Sequence, residues 1–579
     1  MPTYPSTIGI LFALGVTVSA APIASESRPN YVLIGGGAAG FVLAEYLTRD
    51  PNVQVVLLEA GVDSSTNAQV TTPANFVNVS EWMWNYNSQP DPNLNGLTPD
   101  LVQGRCLGGG TGVNAMYYCR GSASVFDEWA EISGNQGLRW ESMLESFRAT
   151  THWQDAPVAH YDQPLNTSAF GDGPLEITRQ RQLLTLDEPF ANTMASTFEL
   201  SQIDFVSGQG IGVTQSIESI RASNETRSDA YNTFGYLANN RPNFELYQGA
   251  WVSKISFTET TVDSVTYNDT TTGQIYTINA SEVIVTAGTI NSPQLLMLSG
   301  IGPRQHLEEL GIDVVKDIPG VGQDLFDHHY AVVQYEAAAD VDSYWQLTEN
   351  ATRAAIEEEL YTRNGDGLLG TIVGDVMGAF RLPNAVFNGT GDYYRNLPSD
   401  RPHIAYYQFS GPFLSNSPNV SIVSAFSAVV QPEASGNVTL ASANYLDAPL
   451  IFSNYFGAPS DRAAIISGYR GLRELFRSAE LSPYITRELF PGSDVSNDND
   501  TALWEAIQQG SRSWHHPVGT TAIGTVLDAN WRVQGLKGLR VVGASSAPII
   551  PTCPIEATVY AMSHRAALDI ATADGLNIV

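Results

Sequence analysis

Gly35, Gly37 and Gly40 sit in the run Gly35-Gly36-Gly37-Ala38-Ala39-Gly40, a Gly-x-Gly-x-x-Gly spacing that points to one chemistry. The first two permit a tight turn and the close approach of a pyrophosphate to the backbone, and the third lets a helix pack closely on a strand. Glu59, nineteen residues after Gly40, supplies a carboxylate that can accept hydrogen bonds from an adenosine ribose. Near the other end, Trp514-His515-His516-Pro517-Val518-Gly519-Thr520 carries two imidazoles. An imidazole titrates near neutral pH and so can take a hydroxyl proton there. The cysteines are three, Cys106, Cys119 and Cys553, too few for a disulfide-built scaffold or a Cys-rich metal site. No metal is expected, and at least one thiol stays free if a single bridge forms.

Placing these groups needs defined elements. Tyr31-Val32-Leu33-Ile34 is an apolar run of strand length, the glycines form the turn after it, and Phe41, Leu43, Ala44 and Leu47 follow at helical spacing. A second apolar run, 53–58, ends in Glu59. Strand, glycine turn, helix and strand make a βαβ dinucleotide-binding unit, with the helix N-terminus offering unpaired N–H groups to the anion. The unit alone does not separate FAD from NAD. Farther on, residues 420–430 alternate small polar with apolar side chains, which predicts a strand lying half-buried across the active site.

At 579 residues the chain exceeds one ordinary core, and 43% hydrophobic against 15% charged residues is the composition of a packed globular protein. The formal net charge of −31 repels phosphate backbones and anionic lipid surfaces, so nucleic acid and membrane partners are not expected. Residues 1–20 read as a signal peptide, an apolar stretch too short to span a bilayer that ends in Val18-Ser19-Ala20. Ten Asn-x-Ser/Thr sequons, at Asn78, Asn166, Asn224, Asn268, Asn279, Asn350, Asn388, Asn419, Asn437 and Asn499, add an N-glycosylated protein of the secretory pathway.

The segment 104–121, Gly-Arg-Cys-Leu-Gly-Gly-Gly-Thr-Gly-Val-Asn-Ala-Met-Tyr-Tyr-Cys-Arg-Gly, resembles the first signature of the glucose-methanol-choline (GMC) oxidoreductases, and 286–303 resembles the second. The stretch 319–328, Pro-Gly-Val-Gly-Gln-Asp-Leu-Phe-Asp-His, and Trp84-Asn85-Tyr86 extend the likeness, which fades over about 150–227 and 340–500. The resemblance implies FAD and an α/β fold, a Rossmann-like FAD-binding domain with an inserted α+β substrate domain, as in the GMC and p-hydroxybenzoate-hydroxylase-like architecture. The FAD-binding part would comprise 28–170, 228–335 and 505–579, and the substrate part 171–227 and 336–504. Besides Gly35, Gly37, Gly40 and Glu59, it implies cofactor contacts at Arg105, Gly109, Thr111, Asn114, Ala115, Val252 and Ala544.

By the same resemblance His516, directly before Pro-x-Gly-Thr, is the catalytic base; His515 would point differently in an extended segment and His564 falls in the final helical pattern, so both read as structural. The family's second His or Asn, some forty residues on, is missing: an ungapped reading puts Pro554 there and a one-residue shift puts Cys553 there. Cys553 and Glu556 are candidate substitutes. Gly543 stands where the family usually has Asp. The implied activity is oxidation of the CH–OH group of a small alcohol or secondary metabolite by hydride transfer to flavin. The alternative is a non-redox FAD-containing cyclase or lyase, as in the versicolorin B synthase and hydroxynitrile lyase branches, which the missing partner favours.

Overall fold

The computed structural model describes residues 29–155, 164–414 and 420–578; the signal-peptide segment 1–20 and Asn419 lie outside the described residues. The wholly buried, apolar strand Tyr31–Ile34 lies at the centre of a parallel sheet, because it has neighbours on both edges and packing on both faces. Val55–Glu59 pairs with one edge and Glu282–Val285 with the other. Phe244–Gln248 and Leu539–Val541 complete five strands. Helix Ala38–Leu47 packs against the 19-residue helix Glu556–Asp574. An antiparallel meander, Ala250–Thr258, Thr261–Asp269 and Ile275–Asn279, joins the same core.

The second sheet is antiparallel and seven-stranded. It runs Ile485–Phe490, His329–Ala337, Ile422–Val429, Ile404–Phe409, Val376–Phe380 and Gly212–Gln215, with Ser511–Ser513 also pairing with His329–Ala337. Strand periodicity sorts its side chains. Ala331, Val333, Tyr335, Val423, Ala425, Ile404 and Tyr406 share one core with helix Pro459–Phe476, while Tyr330, Val332, Phe426, Tyr407 and Phe409 share another. The strand foreseen as half-buried, Ile422–Val429, is therefore buried along its whole length. Ser427 fits beneath Gly468 of the helix on one face, while Ser424 shares the aromatic face with Phe426 and donates to the Gly411 carbonyl.

Among the described residues no helix is long and apolar enough to cross a membrane, and no group of three or more His, Cys, Asp or Glu could hold a metal ion.

Candidate active site

A cavity of about 710 Å³ opens between the two sheets. The parallel sheet presents the glycine turn, with Gly35 at φ +113°. A Cβ there would lie 2.5 Å from the Thr286 carbonyl oxygen, and one on Gly40 would lie 2.0 Å from the Gly35 carbonyl oxygen. Gly109, at φ +54°, would bring a Cβ within 2.7 Å of Gly37 Cα. Glycine is needed at these positions because no side chain fits where helix, strand and the second glycine loop converge.

Glu59 ends its strand buried at the cavity wall, accepting hydrogen bonds from Gly36 N at 2.6 Å and Gly61 N at 2.7 Å. Burial pushes its pKa up, opposed by those two donors and by Arg105. Each carboxylate oxygen keeps further acceptor capacity for a ribose hydroxyl.

Gly35, Gly37, Gly109, Thr111, Asn114, Ala115, Val252 and Ala544 all line the cavity. Gly40 sits one helical turn behind it, holding the helix against the strand. Thr111 Oγ1 donates to the Gly108 carbonyl and accepts from Ala230 N, so its side chain shapes the loop. Asn114 spends much of its amide on the protein: Oδ1 accepts from Arg227 Nη1 at 2.7 Å and from Met116 N, while Nδ2 donates to Glu556 Oε2 at 2.9 Å. Arg105 is set back from the wall, its guanidinium 4.3 Å from the Trp84 ring centroid; it orders Trp84, which does line the cavity. Val252 lies where a register shift interrupts the pairing between Val252 and Lys254.

The wall fits FAD. It has a side-chain-free glycine cradle, a helix N-terminus at the turn, an acid for the ribose, and buried polar atoms that the protein leaves without partners, Asn291 Oδ1 and Glu556 Oε1. Gly543, where the family has Asp, adopts φ +126° at the wall, a conformation that a side chain strains.

The antiparallel sheet and the C-terminal loops supply the opposite wall. Trp514, His515 and His516 follow Ser511–Ser513 and are anchored by buried Asp327, whose carboxylate accepts from Ser513 Oγ at 2.5 Å, from His516 N at 2.9 Å and from the Tyr455 hydroxyl. His515 takes φ +61°, and its Nε2 lies 3.7 Å from Asp100, both residues lining the cavity.

His516 Nδ1 lies 2.9 Å from His328 Nδ1. His328 is fully buried, and its Nε2 faces two carbonyl oxygens, Pro551 at 2.8 Å and Val430 at 3.1 Å. Only an N–H satisfies two carbonyls, so the partners assign the His328 proton to Nε2 and leave Nδ1 an acceptor. His516 must then donate from Nδ1, which makes its Nε2 the lone-pair atom. Burial drives His328 down to about 4, so it stays neutral and the assignment holds. Burial, and secondarily the other two imidazoles, hold His516 well below its ordinary value. His328 lies within the quoted stretch 319–328, but its role depends on two distant carbonyls and has no local sequence signal.

Aromatic rings extend from the imidazole: Trp514 is 5.1 Å from His516 and 4.8 Å from Phe426, between centroids. Phe426 in turn meets Tyr330 at 4.1 Å and Tyr407 at 5.4 Å. Phe413, Phe409, Phe76 and Tyr117 close the set. Glu59, Asp100 and Glu556 are the acids of the cavity wall, and no Lys or Arg lines it among the described residues.

Of the two candidates for the missing partner, Cys553 is withdrawn, because it is bonded to Cys119 in a buried disulfide that leaves Cys106 as the free thiol. Pro554 lines the cavity at the expected place without a side-chain donor, and Glu556 lines it nearby. His564 is buried against Tyr46, ring edge to face at 4.6 Å, away from the cavity wall.

Comparison with known proteins agrees with this geometry. Residues 30–330 match the N-terminal part of GMC oxidoreductases and residues 432–563 the C-terminal part. A glucose-methanol-choline family oxidoreductase of Annulohypoxylon moriforme is 30% identical over 96% of each chain. Patulin synthase of Aspergillus clavatus is 29% identical over 98% of this chain and 99% of its own. An FAD-dependent oxidoreductase from Chaetomium thermophilum superposes with a TM-score of 0.86 at 27% identity, over 95% of this chain and all of the other. This chain belongs to the GMC oxidoreductase family and is an FAD-dependent enzyme.

Proposed function

We propose that the protein oxidises the CH–OH group of a neutral alcohol with a flat, apolar body, a secondary metabolite or aryl alcohol, with His516 as catalytic base. The observation that carries this is the fixed tautomer of His516, whose lone pair is held at Nε2 by His328 while burial keeps the ring unprotonated. Bound FAD supplies a hydride acceptor. His516 Nε2 takes the hydroxyl proton, an effect typically worth about 10²- to 10⁴-fold. The rings of Phe426, Tyr407, Tyr330 and Trp514 hold the substrate body and exclude water. A wall without Lys or Arg gives an anionic substrate no counter-charge.

The separation of a parallel from an antiparallel sheet supports a division into a cofactor-binding part, 28–170, 228–335 and 505–579, and a substrate part, 171–227 and 336–504, although His329–Ala337 and Ser511–Ser513 pair into the antiparallel sheet and so carry the substrate side across those bounds. The likeness to patulin synthase supports a substrate from secondary metabolism. Secretion and N-glycosylation complete the reading: Asn78, Asn166, Asn224, Asn279, Asn388 and Asn499 are exposed, and a disulfide suits an oxidising compartment.

A second reading, cyclisation or elimination on an enzyme that keeps FAD without redox turnover, is favoured by Pro554, which offers the substrate oxygen no hydrogen bond. Anaerobic addition of candidate aryl alcohols to the purified yellow protein distinguishes the two. Bleaching of the visible flavin band supports oxidation, and product formation without bleaching supports the second reading. His516→Ala should abolish turnover under both and leave FAD bound; undiminished activity would overturn the base assignment.

A further inference from the structure

Glu556 opens the helix Glu556–Asp574 and lines the cavity, yet the mechanism above does not use it. Its Oε2 accepts from Asn114 Nδ2 at 2.9 Å and from Ser219 Oγ at 3.2 Å, and its Oε1 is buried without a partner in the protein. Arg227 is held one amide away, on the far side of Asn114, and its remaining hydrogen bonds go to the Val70 and Thr111 carbonyls. The carboxyl thus has no direct cationic partner: burial favours its neutral form, Ser219, Asn114 and the more distant Arg227 oppose, and Asp229 nearby adds to the rise. Its hydrogen-bonding neighbour Asn114, like Thr111, belongs to the glycine-bearing segment 104–121 that lines the cavity.

We propose that Glu556 takes up a proton when the flavin is reduced, so that the cofactor's redox equilibrium and this carboxyl are linked. The inference rests on FAD occupying the cavity. Reduction by hydride would add two electrons and one proton to bound flavin and so put a net negative charge in a cavity whose wall carries this buried acid. Among the described residues the wall offers no Lys or Arg to balance that charge. Glu556 relieves it by binding one proton from solvent, so reduction consumes two electrons and two protons in place of one. By reciprocity, a negative charge on the flavin raises the proton affinity of the carboxyl as much as a proton on the carboxyl favours reduction. Burial already brings Glu556 up to about 7, which puts the exchange within the working pH range.

The test is the flavin midpoint potential of the holoenzyme against pH, from about pH 5.5 to about pH 9.5, after flavin content is confirmed by absorbance. The wild type should show a window in which the pH slope doubles, bounded by the carboxyl's affinities in the oxidised and reduced states. Glu556→Gln, which keeps the shape and the contacts with Asn114 and Ser219, should retain the yellow colour and show a single slope throughout. Identical profiles in the two proteins, or a wild type with no steep window, would overturn the proposal. If the Gln variant does not retain FAD, Glu556→Asp, which keeps the acid, should displace the window along the pH axis; an unmoved window is equally fatal. A wild-type protein that binds no FAD fails at the earlier step and is recognised by its lack of colour.

Discussion

His516 and His328 meet Nδ1 to Nδ1 at 2.9 Å with their rings at 89°, so the tautomer of the cavity-facing imidazole is set by a residue that does not line the cavity. His328→Leu removes the acceptor and leaves the Pro551 and Val430 carbonyls without their donor. With a buried hydrogen bond to a polar group worth about 1–3 kcal/mol, kcat should fall roughly ten- to a hundredfold while FAD is retained. The acid limb of kcat/KM should also shift upward in pH, because His328 helps hold His516 below its ordinary value. A lowered melting temperature with an unmoved acid limb would make His328 merely structural.

Gly40→Ala tests the cradle. The added methyl would sit 2.0 Å from the Gly35 carbonyl oxygen, which is backbone and has no free end to swing aside. The glycine turn must open, and the variant should purify with little or no flavin absorbance while retaining native far-UV circular dichroism. Full cofactor content would show that the turn tolerates displacement.

Stability should fall between about pH 6.5 and about pH 8.5. Burial raises Asp327, Asp375 and Glu556 to about 7 and Glu225 to about 8, so the folded state holds protons there that the unfolded chain has released. Stability declines with pH wherever the native state binds more protons. Buried histidines act the other way only at lower pH: His328 is depressed to about 4 and His403 to about 3, so each costs stability as pH drops below 6.5 and is neutral in both states above it. Melting temperatures in buffers matched for ionic strength check this, and a flat or rising curve over the window refutes it.

The Cys119–Cys553 bridge spans 434 residues of sequence and fastens the second glycine-bearing segment, 104–121, to the loop that carries Pro551 and Pro554. Replacing both cysteines by Ala should cost about 2–5 kcal/mol in denaturant unfolding. Turnover should fall as well, since Pro551 loses its tether and its carbonyl fixes His328. Unchanged midpoint and kcat would mean that packing alone holds the loop.

The cofactor side of the site was legible in the sequence because its chemistry is local: a turn needing glycine, a strand, a helix and Glu59 all fall within about thirty residues of one another. His516 was legible through its neighbours Pro517 to Thr520. The substrate side was not. Tyr117, Tyr330, Tyr407, Phe426 and Trp514 come from five separate segments: antiparallel pairing brings the strands of Tyr330, Phe426 and Tyr407 together, and tertiary packing adds Tyr117 and Trp514. The tautomer relay escaped for the same reason, since the carbonyls of Val430 and Pro551 act through backbone atoms whose partners no residue type announces.

The parallel sheet holds Glu282–Val285 between Tyr31–Ile34 and Leu539–Val541, so a strand made near the end of synthesis closes a sheet begun near its start. The same late stretch brings the imidazole, the Gly543 turn and the bridged loop. A growing chain can therefore assemble the glycine cradle around Gly35, Gly109 and Thr286 about 230 residues before the imidazole of His516 is made, and the two walls of the cavity meet only with the final pairing.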